Sequence, residues 1–278
     1  MTPPGSAAPI KDSSPDQQED ASMPQIDDHT TAFSHVPQHG FSLFLAKRSK
    51  TIHFVRHAEG KHNAANQAAG DDSPVTFSTA GSWDYIDAKL TERGIQQCLT
   101  LRSTVLHDVK PQLVVVSPFT RTLQTAHIMF GGGSGVPFLV HDLARERSGK
   151  YTCDKRRTRE DIVREFEPVF SYTTDSIDFD GFSFPGEQGT VWTDEREPAE
   201  VVTARGIAFM QWLASRTETD IAVVTHSSWL KLLFRAFGEH IAHSDQAKLH
   251  NAELRSVCLA LHRGFYPEGT WVDDEFVP

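Results

Sequence analysis

From about residue 50 onward, short apolar runs alternate with segments of helical periodicity. Four runs have the length and the apolar character of buried strands, and they cover residues 52–55, 113–116, 137–140 and 221–224. Near the end of the chain, Val257, Leu259 and Leu261 alternate with smaller or more polar residues, which is the period of a half-buried edge strand. Apolar strands that alternate with helices are typical of an open α/β fold, and we expect that fold class here.

Four helices are predicted from capping residues and from apolar spacing. Thr91 is a suitable N-cap for the helix that follows it. Ser117, with Pro118 after it, is a suitable N-cap for a helix that begins directly after the second strand. Ser228 is placed to cap a helix after the fourth strand, and residues 199–215 carry an apolar face at helical spacing.

Two stretches show weaker patterns. Residues 64–89 are loop-like and rich in Gly and Asp, and we expect them to border the functional site. Residues 150–198 combine a basic segment, a short helical piece around residues 162–166 and several aromatic residues. We interpret this second stretch as a lid-like excursion over the site rather than as a separate domain.

Charged side chains follow the ends of the predicted strands. Arg56 and His57 come directly after the first strand, and Arg121 lies a few residues beyond the second. Glu146 follows the third strand, and His226 follows the fourth. Because open α/β folds keep their ligand sites at the carboxyl edge of the sheet, we expect these side chains to meet there. Arg121 would lie beside the free N–H groups of a helix N-terminus, which favours an anion as the ligand.

Composition and charge set the limits of the domain. The chain has 38% hydrophobic residues, with 18 Phe and 5 Trp to fill a core, and a formal charge of −10. Residues 1–40 are rich in Pro, Ser, Asp, Gln and His and predict a disordered or loosely packed tail. The domain is then expected at residues 41–265, with a C-terminal tail at 266–278. Since the chain has no basic excess, we expect neither nucleic acid nor a membrane as a partner.

Three cysteines, Cys98, Cys153 and Cys258, are widely spaced and form no CxxC pair, so no zinc or redox motif is indicated. Cys98 and Cys258 lie in apolar patterns and are expected to be buried. No apolar run approaches the roughly 20 residues that span a bilayer, and the N-terminus lacks a signal-like pattern. These observations favour a cytoplasmic location, with the nucleus as a second possibility.

Several of these segments carry a resemblance to a known family. Residues 51–63, TIHFVRHAEGKHN, resemble the Arg-His-Gly signature of the histidine phosphatase superfamily, with Ala58 in place of the usual Gly. Residues 117–126, SPFTRTLQTA, resemble its second motif, and the strand that ends in His226 resembles its third. Residues 150–159, KYTCDKRRTR, resemble a branch found in plant and fungal phosphatases of uncertain substrate. The resemblance implies a three-layer α/β/α fold of the phosphoglycerate-mutase type, with a mostly parallel sheet and an antiparallel edge strand.

The resemblance also implies roles for particular residues. His57 is the expected nucleophile, which would form a phosphohistidine, and Glu146 is the expected general acid. Phosphate binding is expected from Arg56, Asn63, Arg121, His226 and Ser227. No metal and no cofactor are implied, because the arginines and His226 supply positive charge. The expected activity is a phosphomonoesterase that acts on a phosphorylated small molecule, and the oligomeric state is open.

Other interpretations remain open at this stage. The same fold hosts mutases, which keep the phosphoryl group until the product returns, and a phosphate-binding module without turnover would keep the same pocket. A metal hydrolase is a weaker alternative, because no HxxEH, HExxH or HxH spacing is present. Glu146 could also have a structural role and pair with Arg145 or Arg147.

Overall fold

The computed structural model describes residues 49–70, 83–105, 108–172, 175–181, 192–238 and 248–261, together with 271–272 and 275–276. By its internal contacts, Lys47–Pro278 forms one compact unit. The tail predicted at residues 1–40 lies outside the described residues, as does most of the tail predicted at 266–278.

Six strands form one sheet: β1 (Ser49–Arg56), β2 (Leu113–Val116), β3 (Phe138–Val140), β4 (Ile177–Asp178), β5 (Asp220–Thr225) and β6 (Leu254–Ala260). Their order is β4-β3-β2-β5-β1-β6. Every neighbouring pair is parallel except β1 with β6, which is antiparallel. The predicted, mostly parallel sheet with an antiparallel edge strand is thus confirmed. A separate antiparallel pair consists of β7 (Trp271–Val272) and β8 (Glu275–Phe276).

Within the described ranges, six α-helices accompany the sheet: α1 (Lys61–Ala69), α2 (Glu92–Val105), α3 (Thr120–Phe130), α4 (Arg159–Tyr172), α5 (Ala199–Ser215) and α6 (Ser227–Ala236). Successive strand residues face opposite sides. Val114 and Val116 pack in one core with side chains of α2, α3 and α4, whereas Leu113 and Val115 pack in a second core with side chains of α5 and α6. The sheet therefore has a helical layer on each face, as predicted.

Two elements differ from the sequence-based expectation. Helix α1 occupies the start of the stretch that was expected to be a loop, and residues 71–82 of that stretch lie outside the described residues. Most of α1 is exposed or half-buried, so no apolar stripe marks it in the sequence. Strand β4 was also missed, because two residues are too short for a recognisable pattern.

The excursion at 150–198 contains part of the core. Helix α4 is longer than the predicted helical piece, and it buries Ile162, Phe166 and Phe170. The lid function of the remaining excursion stays a prediction, and residues 182–191 lie outside the described part of the chain.

The predicted N-caps of α3 and α6 were wrong, although that of α2 was right. Thr91 Oγ1 accepts a hydrogen bond from the Gly94 N–H at 3.0 Å and so caps α2. Helix α3 begins at Thr120 rather than directly after Ser117, and Asp87 accepts the Thr120 N–H at 2.8 Å and the Thr120 hydroxyl at 2.5 Å. Because a carboxylate distant in sequence satisfies the free N–H group, α3 needs no local cap.

One further expectation is corrected. Cys98 and Cys153 are buried, but Cys258 is exposed, because it lies on the outer face of the edge strand β6. Within the described residues, no helix combines the length and the apolar character needed to cross a membrane.

Candidate active site

The carboxyl ends of four parallel strands bring the predicted site residues together at one edge of the sheet. Arg56 is the last residue of β1, and His226 directly follows β5. The ring centroids of His57 and His226 are 5.1 Å apart. Burial lowers the pKa of Arg56, Glu146 and Arg121 are close enough to change it further, and all five residues are at most 7% exposed. Five residues from four distant segments thus share one buried cluster.

His57 is held in one tautomer by its own backbone. Its Nδ1 lies 2.7 Å from the carbonyl oxygen of Ala58, and since a carbonyl only accepts, Nδ1 carries the proton. The lone pair is therefore on Nε2. Burial lowers the pKa of His57 well below its usual range, and the charges of Arg121 and Arg56 lower it further. The imidazole is neutral at physiological pH, which is the form a nucleophile requires.

Ala58 fits the position where the family signature has Gly. It is completely buried, and its N–H donates to Thr125 Oγ1 at 3.1 Å. Among the described residues, positive φ at non-glycine positions occurs only at Asp87, Lys150 and Ala252. Ala58 is not among them, so the methyl group causes no backbone strain there.

Two guanidinium groups supply positive charge. Arg56 Nη1 donates to the carbonyl oxygen of Leu249 at 2.7 Å, and burial lowers its pKa to about 10, which leaves it charged at neutral pH. Arg121 Nη1 donates to the carbonyl oxygen of Cys153 at 2.9 Å, and its Nη2 is 3.3 Å from Asp154. The Nε atoms of both arginines are buried without a hydrogen-bond partner among the described residues.

His226 is positioned by the residue that was predicted to cap α3. Ser117 Oγ lies 2.7 Å from His226 Nε2, and the ring of Phe119 stacks edge-on against the imidazole at 5.2 Å. If the Ser117 hydroxyl donates to Nε2, the proton of His226 lies on Nδ1, which is buried and has no partner among the described residues. Burial, followed by the charge of Arg121, lowers the pKa of His226 well below its usual range.

Glu146 caps α6 in place of the predicted Ser228. Its Oε1 accepts the N–H of Arg147 at 2.8 Å and of Trp229 at 3.1 Å, and its Oε2 accepts the Ser228 N–H at 3.4 Å. Burial raises the pKa of Glu146, and the Asp154 carboxylate raises it further, against the effect of Arg196.

The alternative pairing of Glu146 with neighbouring arginines is not what the structure shows. Arg145 pairs with Asp142 at 3.4 Å and with Glu197 at 3.1 Å. The Arg147 Nε donates to the carbonyl oxygen of Glu197 at 2.6 Å, so only the backbone of Arg147 contacts Glu146. The carboxyl group is thus held by backbone N–H groups and not by an arginine side chain.

Asn63 and Ser227 lie at the helix ends that border the cluster. Asn63 Oδ1 accepts the Gly60 N–H at 3.0 Å and the Asn251 side-chain N–H at 3.3 Å. The Asn63 side-chain oxygen is thus engaged within the protein. An anion would accept a hydrogen bond from the side-chain NH₂ group of Asn63. Ser227 is the first residue of α6 and is 8% exposed.

The basic segment at 150–159 is largely used within the fold. Arg156 pairs with Asp142 at 2.9 Å, and Arg157 pairs with Asp87 at 2.9 Å and with Glu165 at 2.7 Å. These two arginines therefore stabilise the loop and the start of α3 through ion pairs within the fold.

Sequence reasoning missed three contributors to the cluster. His62, in the first turn of α1, has its ring centroid 5.7 Å from that of His57. Asp154 contacts Arg121, and Arg205 on α5 donates to the backbone of the loop that carries Glu146. His62 and Asp154 lie inside the motifs quoted above, but Arg205 has no local signal. Among the described residues, no group of three His, Cys, Asp or Glu is arranged to hold a metal ion.

Comparison with known proteins agrees with this geometry. The family model of the histidine phosphatase superfamily, branch 1, matches residues 52–265. A phosphoglycerate mutase-like protein of Arabidopsis thaliana is 34% identical over 255 residues, which cover 79% of this chain and 88% of that protein. Phosphomutase-like protein 3 of Candida albicans is 28% identical over 238 residues, which cover 80% of this chain and 71% of that protein.

A solved structure shares the fold. The phosphoglycerate mutase of Bacillus anthracis superimposes with a TM-score of 0.51 at 16% identity, covering 77% of this chain and 89% of that one. The match to the family model extends over most of the chain and includes all four strand ends that form the cluster. The chain belongs to the histidine phosphatase superfamily.

Proposed function

We propose that this protein is a phosphomonoesterase that hydrolyses a phosphorylated small molecule through a phosphohistidine intermediate, without a metal ion. The observation that carries the proposal is the state of His57, whose Nδ1 is tied to the Ala58 carbonyl at 2.7 Å and whose pKa is lowered by burial and by two arginines. A buried, neutral imidazole with a free Nε2, next to Arg56 and Arg121, is suited to attack a phosphorus atom.

The first step transfers the phosphoryl group to the protein. His57 Nε2 forms a bond to phosphorus while the bond from phosphorus to the ester oxygen breaks. Glu146 gives its proton to that oxygen, so the leaving group departs as an alcohol. The raised pKa of Glu146 favours the protonated form that this step needs, and a phosphate dianion nearby would raise it further.

The second step releases phosphate. The Glu146 carboxylate accepts a proton from water, and the water oxygen bonds to phosphorus as the bond to His57 Nε2 breaks. This returns the neutral imidazole and the protonated Glu146. Arg56, Arg121 and His226 stabilise the charge on the phosphoryl oxygens in both steps, which is the role that magnesium has in many other phosphotransferases.

The test compares wild-type protein with the His57→Ala variant on an aryl phosphate. We expect kcat/KM to fall by at least about 10³-fold, because the nucleophile is lost. Wild-type protein quenched during turnover should carry an acid-labile phosphoryl group, and the variant should carry none. His127→Gln, in the last turn of α3, is the matched control and should retain activity. Unchanged hydrolysis by His57→Ala would refute the mechanism.

The same samples separate hydrolysis from the mutase reaction. Incubation with 3-phosphoglycerate that yields 2-phosphoglycerate without free phosphate would assign a mutase instead. Tight phosphate binding with no phosphoenzyme and no turnover would assign a binding module.

A further inference from the structure

His57 has two imidazole neighbours. The ring of His226 lies 5.1 Å away, and that of His62 lies 5.7 Å away, measured between centroids. All three rings are at most 6% exposed. The Nδ1 atoms of His62 and His226 share a further property, because each is buried without a hydrogen-bond partner among the described residues. Two polar atoms beside the nucleophile are therefore left for a ligand to satisfy.

The chain positions His62 through a glycine. His62 is the second residue of α1, whose N-cap is Gly60. A Cβ atom at Gly60 would lie 2.8 Å from both Nδ1 and Cε1 of His62, so the imidazole rests directly against the glycine backbone. Gly60 has φ −92° and ψ 161°, which any residue adopts, and its backbone conformation does not explain a glycine there. The close approach of the His62 ring explains why a glycine is present at this position.

The charges around His62 are those of the catalytic cluster. Burial lowers the pKa of His62 well below its usual range, and Arg121 and Arg56 lower it further. His62 in turn lowers the pKa of both His57 and His226. The His62 ring is therefore neutral in the free protein. It lies in the positive potential of Arg121 and Arg56, where an anion would bind. A bound phosphate dianion would reverse this effect and favour the protonated imidazole.

We propose that His62 is a second imidazole ligand of the transferred phosphoryl group, alongside His226, and that it donates a hydrogen bond from Nδ1 to a phosphoryl oxygen. This proposal rests on the proposed function, since it concerns the same site. A packing role alone does not require a polar ring whose buried nitrogen has no partner, because an apolar side chain of the same size would avoid the cost of desolvation.

Two variants of the full-length protein distinguish a ligand from a packing residue. His62→Asn keeps an N–H group near the position of Nδ1 but loses ring volume, and His62→Phe keeps the volume but has no donor. We expect His62→Phe to lower kcat/KM for an aryl phosphate at least tenfold and to weaken binding of inorganic phosphate, measured by calorimetry. His62→Asn should stay within about threefold of wild type. The reverse order, with His62→Phe near wild type, would overturn the proposal.

A measurement on the wild-type protein does not depend on how the variants fold. The imidazole resonances of His62 are followed against pH by NMR, with and without inorganic phosphate. We expect phosphate to raise the pKa of His62, and an unchanged titration in the presence of saturating phosphate would count against the proposal.

The outcomes also separate this proposal from the proposed function. If wild-type protein hydrolyses the aryl phosphate and His62→Phe does so equally well, only the role of His62 is wrong. If wild-type protein binds phosphate but does not turn over, the hydrolytic function fails, and the calorimetry still decides whether His62 is a ligand. If wild-type protein neither binds nor hydrolyses, both proposals fail.

Discussion

Asp154 holds the guanidinium group of Arg121, with 3.3 Å between Asp154 Oδ1 and Arg121 Nη2. Its other oxygen is 2.6 Å from Arg196 Nη1, and the Asp154 side chain is only 7% exposed. The arginine expected to bind phosphate is thus already oriented by a carboxylate of the protein. The same carboxylate raises the pKa of Glu146, so one residue influences both the anion-binding group and the proposed acid.

We predict that Asp154→Asn shifts the pH dependence of turnover. In the proposed mechanism the first step needs the protonated form of Glu146, so kcat/KM falls as pH rises through the pKa of Glu146. Removing the Asp154 charge removes one cause of the raised pKa, and the alkaline limb of the kcat/KM profile should move to lower pH. Asp161→Asn, which removes an exposed carboxylate that pairs with Arg164 and accepts a hydrogen bond from the Thr158 hydroxyl, is the control and should leave the profile unchanged. A limb that stays in place would show that Asp154 does not tune Glu146.

Arg205 is predicted to be a positioning residue for Glu146. Its Nη1 donates to the carbonyl oxygens of Leu143 and Arg145 at 2.9 and 2.8 Å, and its Nη2 donates to that of Glu146 at 3.1 Å. Glu197 lies 3.1 Å from the same guanidinium group and also accepts the Ser148 N–H at 2.9 Å. Arg205→Lys keeps the charge but cannot make all of these contacts.

The measurement for Arg205 compares two leaving groups. In the proposed mechanism an alkyl phosphate needs a proton from Glu146, whereas a dinitrophenyl phosphate does not. We expect Arg205→Lys to lower kcat/KM, which reports phosphoryl transfer to His57, about tenfold with the alkyl ester and less than threefold with the dinitrophenyl ester. Glu146→Gln should show the same preference with a larger loss, about 10²-fold or more. Arg216→Lys, at the surface pair with Glu218, serves as the control. Equal losses on both esters would indicate a general structural defect instead.

Gly60→Ala should act through His62. Because the new Cβ would displace the imidazole, we expect kcat/KM to fall about as far as in His62→Ala. In the His62→Ala background, Gly60→Ala should have no further effect, since the obstructed ring is gone. A double-mutant cycle on an aryl phosphate measures this coupling. If the fold losses of the two single variants multiply in the double variant, Gly60 is required for another reason.

Acid should destabilise the protein through its buried histidines. Each of His57, His62 and His226 has a pKa in the folded state below the value of about 6.5 in an unfolded chain. The unfolded state therefore binds more protons below pH 6.5, and stability that is complete above this pH is lost as pH falls. Between pH 7.5 and 5.5 one such histidine contributes about 1.4 kcal/mol to the loss.

Denaturant unfolding of wild-type and His62→Phe protein in phosphate-free buffer measures this contribution. The free energy of unfolding should fall by about 1.4 kcal/mol less in the variant than in wild type between the two pH values. Groups such as Glu146, whose raised pKa has the opposite effect on stability, act in both proteins and cancel in the comparison. An identical loss in both proteins would show that His62 is protonated equally in the folded and unfolded states.

The fold and much of the site were predictable because their signals are local. The short apolar runs of β1, β2, β3 and β5 identify buried strands, and the charged residues after them lie at the carboxyl edge in any parallel arrangement. Helix α1 was missed because it is mostly exposed and has no apolar stripe, and β4 because it has two residues. An element that buries no periodic set of apolar residues is hard to predict from its sequence.

The amino-acid sequence by itself determined which strands form and which chemical groups follow them: Arg56, His57, Arg121, Glu146 and His226. Only the tertiary structure decided what each group contacts. Asp87 and Glu146 cap α3 and α6 from distant segments. Ser117, which was predicted to cap α3, instead contacts His226, and Asp154 orients Arg121. A helix N-terminus needs an acceptor but not a neighbouring one, so a buried carboxylate anywhere in the chain can satisfy it once the fold has formed.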